Sequence, residues 1–307
     1  MKATRRNILT AIAAGTLVAP LRLKAQGAPV LESTPLAPGL TLIQGAGANV
    51  VVAEGPDAVL VVNGGLPEHA EALLAEIGRL SGGKPVTTLF NTAWGPELCG
   101  LNHLLGPRGA RIIAHENTRL WQGADFFSDW QDTHYRPLPA AAQANDTFYK
   151  TGELDFSDEH IVYGFISQAN TDGDIYVHFT RADVLVVGHM LNAEGWLLLD
   201  YVTGGWIQGA QKTTTGLLER AGEGTRVIAA SGGILSRQDL QDQADMLAHA
   251  YDRVAWAFQN GKSVEELIAS RPMADFEAKR GDATLFLQLL YRSTAYHIPG
   301  RAVRNII

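Results

Sequence analysis

Few side chains in this sequence could do chemistry, and they are scattered. Cys99 is the only cysteine in 307 residues, which excludes an intrachain disulfide and a cysteine-built zinc site. It leaves two readings for the thiol, a nucleophile in need of a base or a small buried apolar side chain. Asp172 and Asp174 flank Gly173 and so offer two neighbouring carboxylates. Asp-Gly-Asp is also the composition of a turn whose carboxylates bond its own backbone, and that structural role is the one assigned. His103 and His115 match no metal-pair spacing and read as packing histidines. Trp121, Phe126, Phe127, Trp130, Tyr135 and Tyr149 cluster without a helical or strand period. Such a stretch suits a loop over a cleft, a partner contact, or plain packing of a lid.

The elements that must position these residues can be read from periodicity. Short β-type runs at Leu40 to Gln44, Asn49 to Ala53 and Ala58 to Val62 are punctuated by Gly, Pro and Asp, the pattern of a meander. Pro67 opens a helical face through Ala70, Leu73, Leu74, Ile77 and Leu80, which Gly82-Gly83 stops. Buried strands are predicted at Val86 to Phe90 and Arg111 to Ala114, and an irregular stretch runs from Trp121 to Lys150. Strands resume at His160 to Phe165, Asp174 to Phe179, Val184 to Val187 and Arg226 to Ala230. Ser236 caps a long helix through Phe258, and Ser263 with Glu266 forms a capping box for the next. This mixed order predicts two sheets packed face to face with helices outside, not a doubly wound parallel sheet.

Composition narrows the function. With 46% hydrophobic and 19% charged residues the chain can bury a large core. A net charge of −7, with no Lys/Arg cluster interleaved with aromatics after the N-terminus, argues against a nucleic-acid partner. Lys2 and Arg5-Arg6 precede an apolar run from Ile8 to Pro20 that is too short to span a bilayer. Thr4-Arg5-Arg6-Asn7-Ile8-Leu9 resembles a twin-arginine export signal, so residues 1–27 are expected to be a signal peptide cleaved near Ala25 or Gly27. The expected location is the periplasm, with no membrane span in the mature chain.

The segment Thr88-Leu89-Phe90-Asn91-Thr92-Ala93-Trp94-Gly95-Pro96-Glu97-Leu98-Cys99-Gly100-Leu101-Asn102 resembles the metallo-β-lactamase superfamily. There a buried strand ends in a His-x-His-x-Asp-His loop introduced by Asn-Thr and followed by Gly-x-Asn. Both flanks are present here and the centre is not. The resemblance puts the three histidines of that motif on Ala93, Gly95 and Leu98, and its Asp on Glu97. Asn170-Thr171-Asp172-Gly173-Asp174 stands where the family has His-Thr-Asp-Gly-Asp, Gly188-His189 where it has Gly-Asp, and Ser231-Gly232 where it has His-Gly. The remaining ligand positions are therefore Asn170, His189 and Ser231. The resemblance covers roughly residues 35 to 300, and with it the expected fold is a four-layer αβ/βα sandwich over residues 28–307, mainly helical from 235 to 307.

That resemblance implies catalytic zinc, and the residues withhold it. Of the seven ligand positions only Glu97 and His189 are strong donors. No cofactor is expected, and zinc-dependent hydrolysis loses its nucleophile. The remaining pocket candidates are Glu97, Cys99, Asn170, His189 and Ser231. In the first reading His189 fills vacated space and hydrogen-bonds Asn170 or Ser231. Alternatives are a Cys99–His189 nucleophilic pair with Glu97 orienting the imidazole, or a residual site for one divalent ion. Trp94 is expected to occupy or line the former pocket. The functional expectation is a non-catalytic binding subunit, or the partner of an active paralogue or another periplasmic protein, with a small-molecule ligand also compatible. The alternative is a hydrolase of a small ester or lactone with a rebuilt site.

Overall fold

Runs of Val, Ile and Leu buried on both faces set the architecture of residues 29–296, which the computed structural model describes. The twin-arginine segment and residues 297–307 lie outside the described residues. Strands β1 (Glu32–Ala37), β2 (Leu40–Gln44), β3 (Val50–Glu54) and β4 (Val59–Val62) form an antiparallel meander. Helix α1 (Ala70–Ser81) then crosses to β5 (Val86–Phe90), which pairs parallel with β4. After the short helices α2 (Pro96–Cys99) and α3 (Asn102–Leu105), β6 (Arg111–His115) pairs parallel with β5. Helix α4 (Glu116–Gln122) leads to a hairpin of β7 (Phe126–Ser128) and β8 (Thr133–Tyr135), and β9 (Asp146–Phe148) completes the first sheet beside β6.

The second sheet runs β10 (Thr151–Phe156), β11 (Glu159–Gly164), β12 (Tyr176–Phe179), β13 (Val184–Gly188) and β14 (Arg226–Ala229), in that order. Helix α5 (Ile207–Arg220) connects β13 to β14, and α6 (Arg237–Gln259), α7 (Val264–Ala269), α8 (Ala274–Arg280) and α9 (Thr284–Tyr296) follow.

Strand alternation divides the apolar residues among three interiors. Val51, Leu60 and Val62 of the first sheet meet Val177, Val184 and Val186 of the second in the central core. Their neighbours Val50, Val52, Val59 and Val61 face outward and pack against Leu73 and Ile77 of α1. Leu185 and Val187 face Leu217 of α5, Leu240 and Leu247 of α6 and Phe286 of α9. These are the four layers, helix, sheet, sheet, helix, that the sequence predicts. Both sheets are covered on both faces at their centres, so β3, β4 and β13 are near-continuous apolar runs.

Three features depart from the sequence reading. Residues 121–150 are not irregular throughout, because the β7–β8 hairpin and β9 lie within them. Those strands have three residues each, too few to show a period. Edge strands β1 and β10 also lack a continuous apolar run, β10 turning only Leu154 and Phe156 to the core, and β1 carries Pro35, which an edge position tolerates. Helix α5 is obscured by Thr213, Thr214, Thr215, Gly209 and Gly216. Its Gly209 sits where a Cβ would come 1.9 Å from the carbonyl oxygen of Gln168, a requirement of packing that no helical propensity reflects.

Candidate functional site

The site lies at the carboxyl ends of β5, β13 and β14, where the two sheets meet. Beyond Phe90 the chain is held by amides. Asn91 and Asn102, both fully buried, exchange side-chain hydrogen bonds, Asn91 Nδ2 to Asn102 Oδ1 at 3.0 Å and Asn102 Nδ2 to Asn91 Oδ1 at 2.8 Å. Asn91 Nδ2 also donates to the Leu98 carbonyl, and Gln122 Nε2 donates to Asn91 Oδ1. The amide N–H and hydroxyl of Thr92 both donate to Asn63 Oδ1, at 3.1 and 2.8 Å. Gly100 is required because a Cβ there would come 2.4 Å from the Gly65 carbonyl oxygen. The family-like flanks of the loop therefore serve to fix its path, and that task is independent of what the loop's centre ligates.

On this frame, six of the seven positions that the resemblance matches to metal ligands converge. Ala93, Gly95, Glu97, Asn170, His189 and Ser231 all line one open cavity of about 290 Å³. Leu98 does not; it is fully buried beside Ala48, Ala93, Cys99 and Ala230. Gly188, at φ +54°, turns the chain out of β13 toward His189, and a Cβ there would come 2.3 Å from Thr92 Oγ1. His189 Nε2 lies 3.3 Å from Glu97 Oε1, and both side chains are 29% exposed. The imidazole thus pairs with Glu97, not with Asn170 or Ser231 as the sequence reading favours. Asn170 is engaged elsewhere, its amide donating to the Leu198 carbonyl.

Cys99 is the candidate that the structure removes from the pocket. It is buried on the far side of the ligand loop, its thiol donating to the carbonyls of Ala93 and Trp94 at 3.4 and 3.5 Å while Gln122 Nε2 donates to its sulfur. Burial pushes the thiol pKa up to about 12, so it is a packing residue that no imidazole activates. Asp172 and Asp174 are structural, as expected. Asp172 accepts from Trp121 Nε1 at 2.8 Å, and Asp174 Oδ2 accepts from the Thr171 amide at 2.6 Å. Burial raises both, Asp174 to about 7. His115 caps α4 by accepting from the Asn117 amide and stacks on Phe165.

Two residues of the aromatic stretch, Trp130 and Tyr135, reach the cavity. Trp94 is 8% exposed and lines the cavity beside Trp130 and Tyr135. It meets Phe126 and Tyr135 edge to face, with centroids 5.2 and 4.7 Å away. Trp130 Nε1 donates to Asp200 Oδ1 at 2.9 Å, tying the stretch to the segment after β13. Phe127 and Tyr149 remain exposed. Trp196 and Asp200 also line the cavity, and sequence reasoning missed both. Their place in a long segment that begins at a strand's carboxyl end, next to His189, is the feature that could have marked them.

Among the described residues no group of three or more His, Cys, Asp or Glu side chains is arranged to hold a metal ion, and the strong donors at the matched positions reduce to one imidazole and one carboxylate. That set does not fit the catalytic zinc which the resemblance implies.

No protein-family model and no curated protein matches the chain. Solved structures do. A metallo-β-lactamase from Pontibacter korlensis is 15% identical at a TM-score of 0.58, over 71% of this chain and 99% of that one. The DIM-1 metallo-β-lactamase is 16% identical at 0.57, over 72% and 99%. A stereoselective inverting sec-alkylsulfatase from Pseudomonas sp. is 15% identical at 0.68, over 90% of this chain but 52% of its own length, so this chain spans about half of it. At such identities likeness establishes architecture alone, and the architecture is the metallo-β-lactamase fold.

Proposed function

We propose that the protein is a non-catalytic member of this fold, a pseudo-hydrolase in which a ligand-binding cavity replaces the hydrolytic centre. The observation that carries this is the convergence on one cavity of six positions matched to the family's ligands, of which only Glu97 and His189 are strong donors; those two lie against each other, and the cavity's other carboxylate, Asp200, already accepts from Trp130, Thr203 and the Val202 amide. With fewer than three such donors there is no resident ion to bring a water toward ionisation at neutral pH or to polarise a carbonyl. The neighbours are named as lactamases and a sulfatase, so the framework is hydrolase-like while the chemistry at its centre has changed. Export through the twin-arginine route, supported by Arg5-Arg6 and the apolar run after them, would deliver the folded protein to the periplasm. There it would serve as a binding subunit, alone or beside an active paralogue or another periplasmic protein. Elemental analysis of untagged mature protein, followed by zinc titration, tests the reading. Less than about a tenth of an equivalent with no tight uptake is expected; near-stoichiometric metal would overturn it.

The Glu97–His189 contact favours a second reading, a metal-independent hydrolase of small esters or lactones in which the carboxylate orients the imidazole as a general base. Turnover of such substrates that His189→Ala and Glu97→Gln both abolish, with the fold intact, would establish it over the first.

A further inference from the structure

We infer that the cavity binds an organic cation, an amine or quaternary ammonium carrying an apolar group. This rests on the cavity being a ligand site, as proposed above, and adds the sign and shape of the ligand. The lining contains no Lys or Arg, and it does contain the carboxylates of Glu97 and Asp200. Its walls are aromatic, with Trp94, Trp130, Tyr135 and Trp196 all bordering the space. What decides the sign is where the aromatic hydrogen-bond donors go. Trp94 Nε1 donates to Thr203 Oγ1 at 3.1 Å, Trp130 Nε1 to Asp200 Oδ1 at 2.9 Å, and Trp196 Nε1 to the Gly281 carbonyl at 3.1 Å. The Tyr135 hydroxyl donates to Gln131 Oε1 at 3.1 Å. Every N–H or O–H on the aromatic wall is thus directed at a protein acceptor, and what the rings retain for a ligand is carbon surface and π electron density.

The amide of Asn170 is neutral toward the sign of a ligand, since one of its two N–H groups donates to the Leu198 carbonyl and its other N–H and its Oδ1 remain. The other polar side chains of the lining, His189, Ser231, Gln131, Thr171 and Asn192, carry no fixed positive charge. An anion entering this space would meet two carboxylates without a guanidinium or ammonium to offset them. A cation would meet aromatic rings, whose π density attracts it, and Glu97, whose side chain is 29% exposed and so open to a ligand. Asp200 is saturated, accepting from Trp130, Thr203 and the Val202 amide; it contributes field, and Glu97 contributes contact.

Three of the six tryptophans in the sequence border the cavity, so intrinsic fluorescence reports occupancy. The full mature protein is titrated with benzyltrimethylammonium, benzyl alcohol and benzoate, a series that holds the ring constant and varies the charge. The ammonium is expected to bind at least about tenfold more tightly than the other two, and Glu97→Gln to weaken it by about tenfold while leaving benzyl alcohol unchanged. Equal or tighter binding of benzoate or benzyl alcohol would overturn the inference and leave the ligand-binding cavity standing. Failure of all three to bind, confirmed by calorimetry, would overturn both. Trp130→Leu, at a partly exposed position, supplies the second variant. Selective loss of the ammonium is expected from it, and an unchanged affinity would remove the aromatic wall from the account.

Discussion

His189 and Glu97 face each other at 3.3 Å in the lining of the cavity, Nε2 to Oε1, joining the end of β13 to the first turn of α2. Each is about 29% exposed, so water competes for the contact and its contribution to stability is small. His189→Ala and Glu97→Gln are each expected to change unfolding free energy by no more than about 1 kcal/mol, measured by urea denaturation at neutral pH. A loss above about 2 kcal/mol in either would mean that the pair holds the fold together, and its place in the cavity would be incidental.

The Asn91–Asn102 exchange is where stability resides in this region. Replacing Asn102 by Leu takes from Asn91 both side-chain bonds of the exchange and from the Ala142 carbonyl its side-chain donor, all of them away from water. Each buried polar group so orphaned costs about 1–3 kcal/mol. Asn102→Leu should therefore destabilise the protein severalfold more than His189→Ala, and equal melting temperatures for the two variants would contradict this account.

Cys99 supplies a chemical check. Its thiol is buried and raised to about 12, so thiolate is scarce at neutral pH. An aromatic disulfide reagent should leave the native protein unlabelled and label it stoichiometrically in denaturant. Rapid native labelling would return Cys99 to the list of reactive groups.

Asp174 predicts the sign of a pH dependence. Its carboxyl is held to about 7 by burial, against an ordinary 3.8, and Oδ1 is buried with no hydrogen-bond partner. Between these values the native state binds a proton that the unfolded chain has released. Its contribution to stability is therefore greatest below about 4 and falls as pH rises through about 7. Asp174→Asn keeps an acceptor for the Thr171 amide without the charge. Relative to wild type it should gain melting temperature at pH 7.5 and show little gain at pH 4.5; a gain of the same size at both would refute the assignment.

The layers were legible in the sequence because strand alternation is a local property. Val50 to Val52, Val59 to Val62 and Val184 to Val187 show their burial on both faces in composition alone, and Ser236 and Ser263 mark helix starts by side chains that bond the next turn. The lack of strong donors at Ala93, Gly95 and Leu98 was equally local, since no arrangement of a fold gives those side chains a lone pair to offer. What the chain does with the cavity was not. The same stretch places Glu97 in the cavity and Cys99 behind it, and only the turn of α2, which rotates successive side chains by about 100°, separates them. Trp196 and Asp200 join Trp94 and Trp130 from segments distant in sequence, and the direction of each indole N–H depends on which acceptor lies beside it after folding. Identity of residues is written along the chain. The partner that each polar atom meets, and so the chemistry left facing the cavity, is decided by long-range packing.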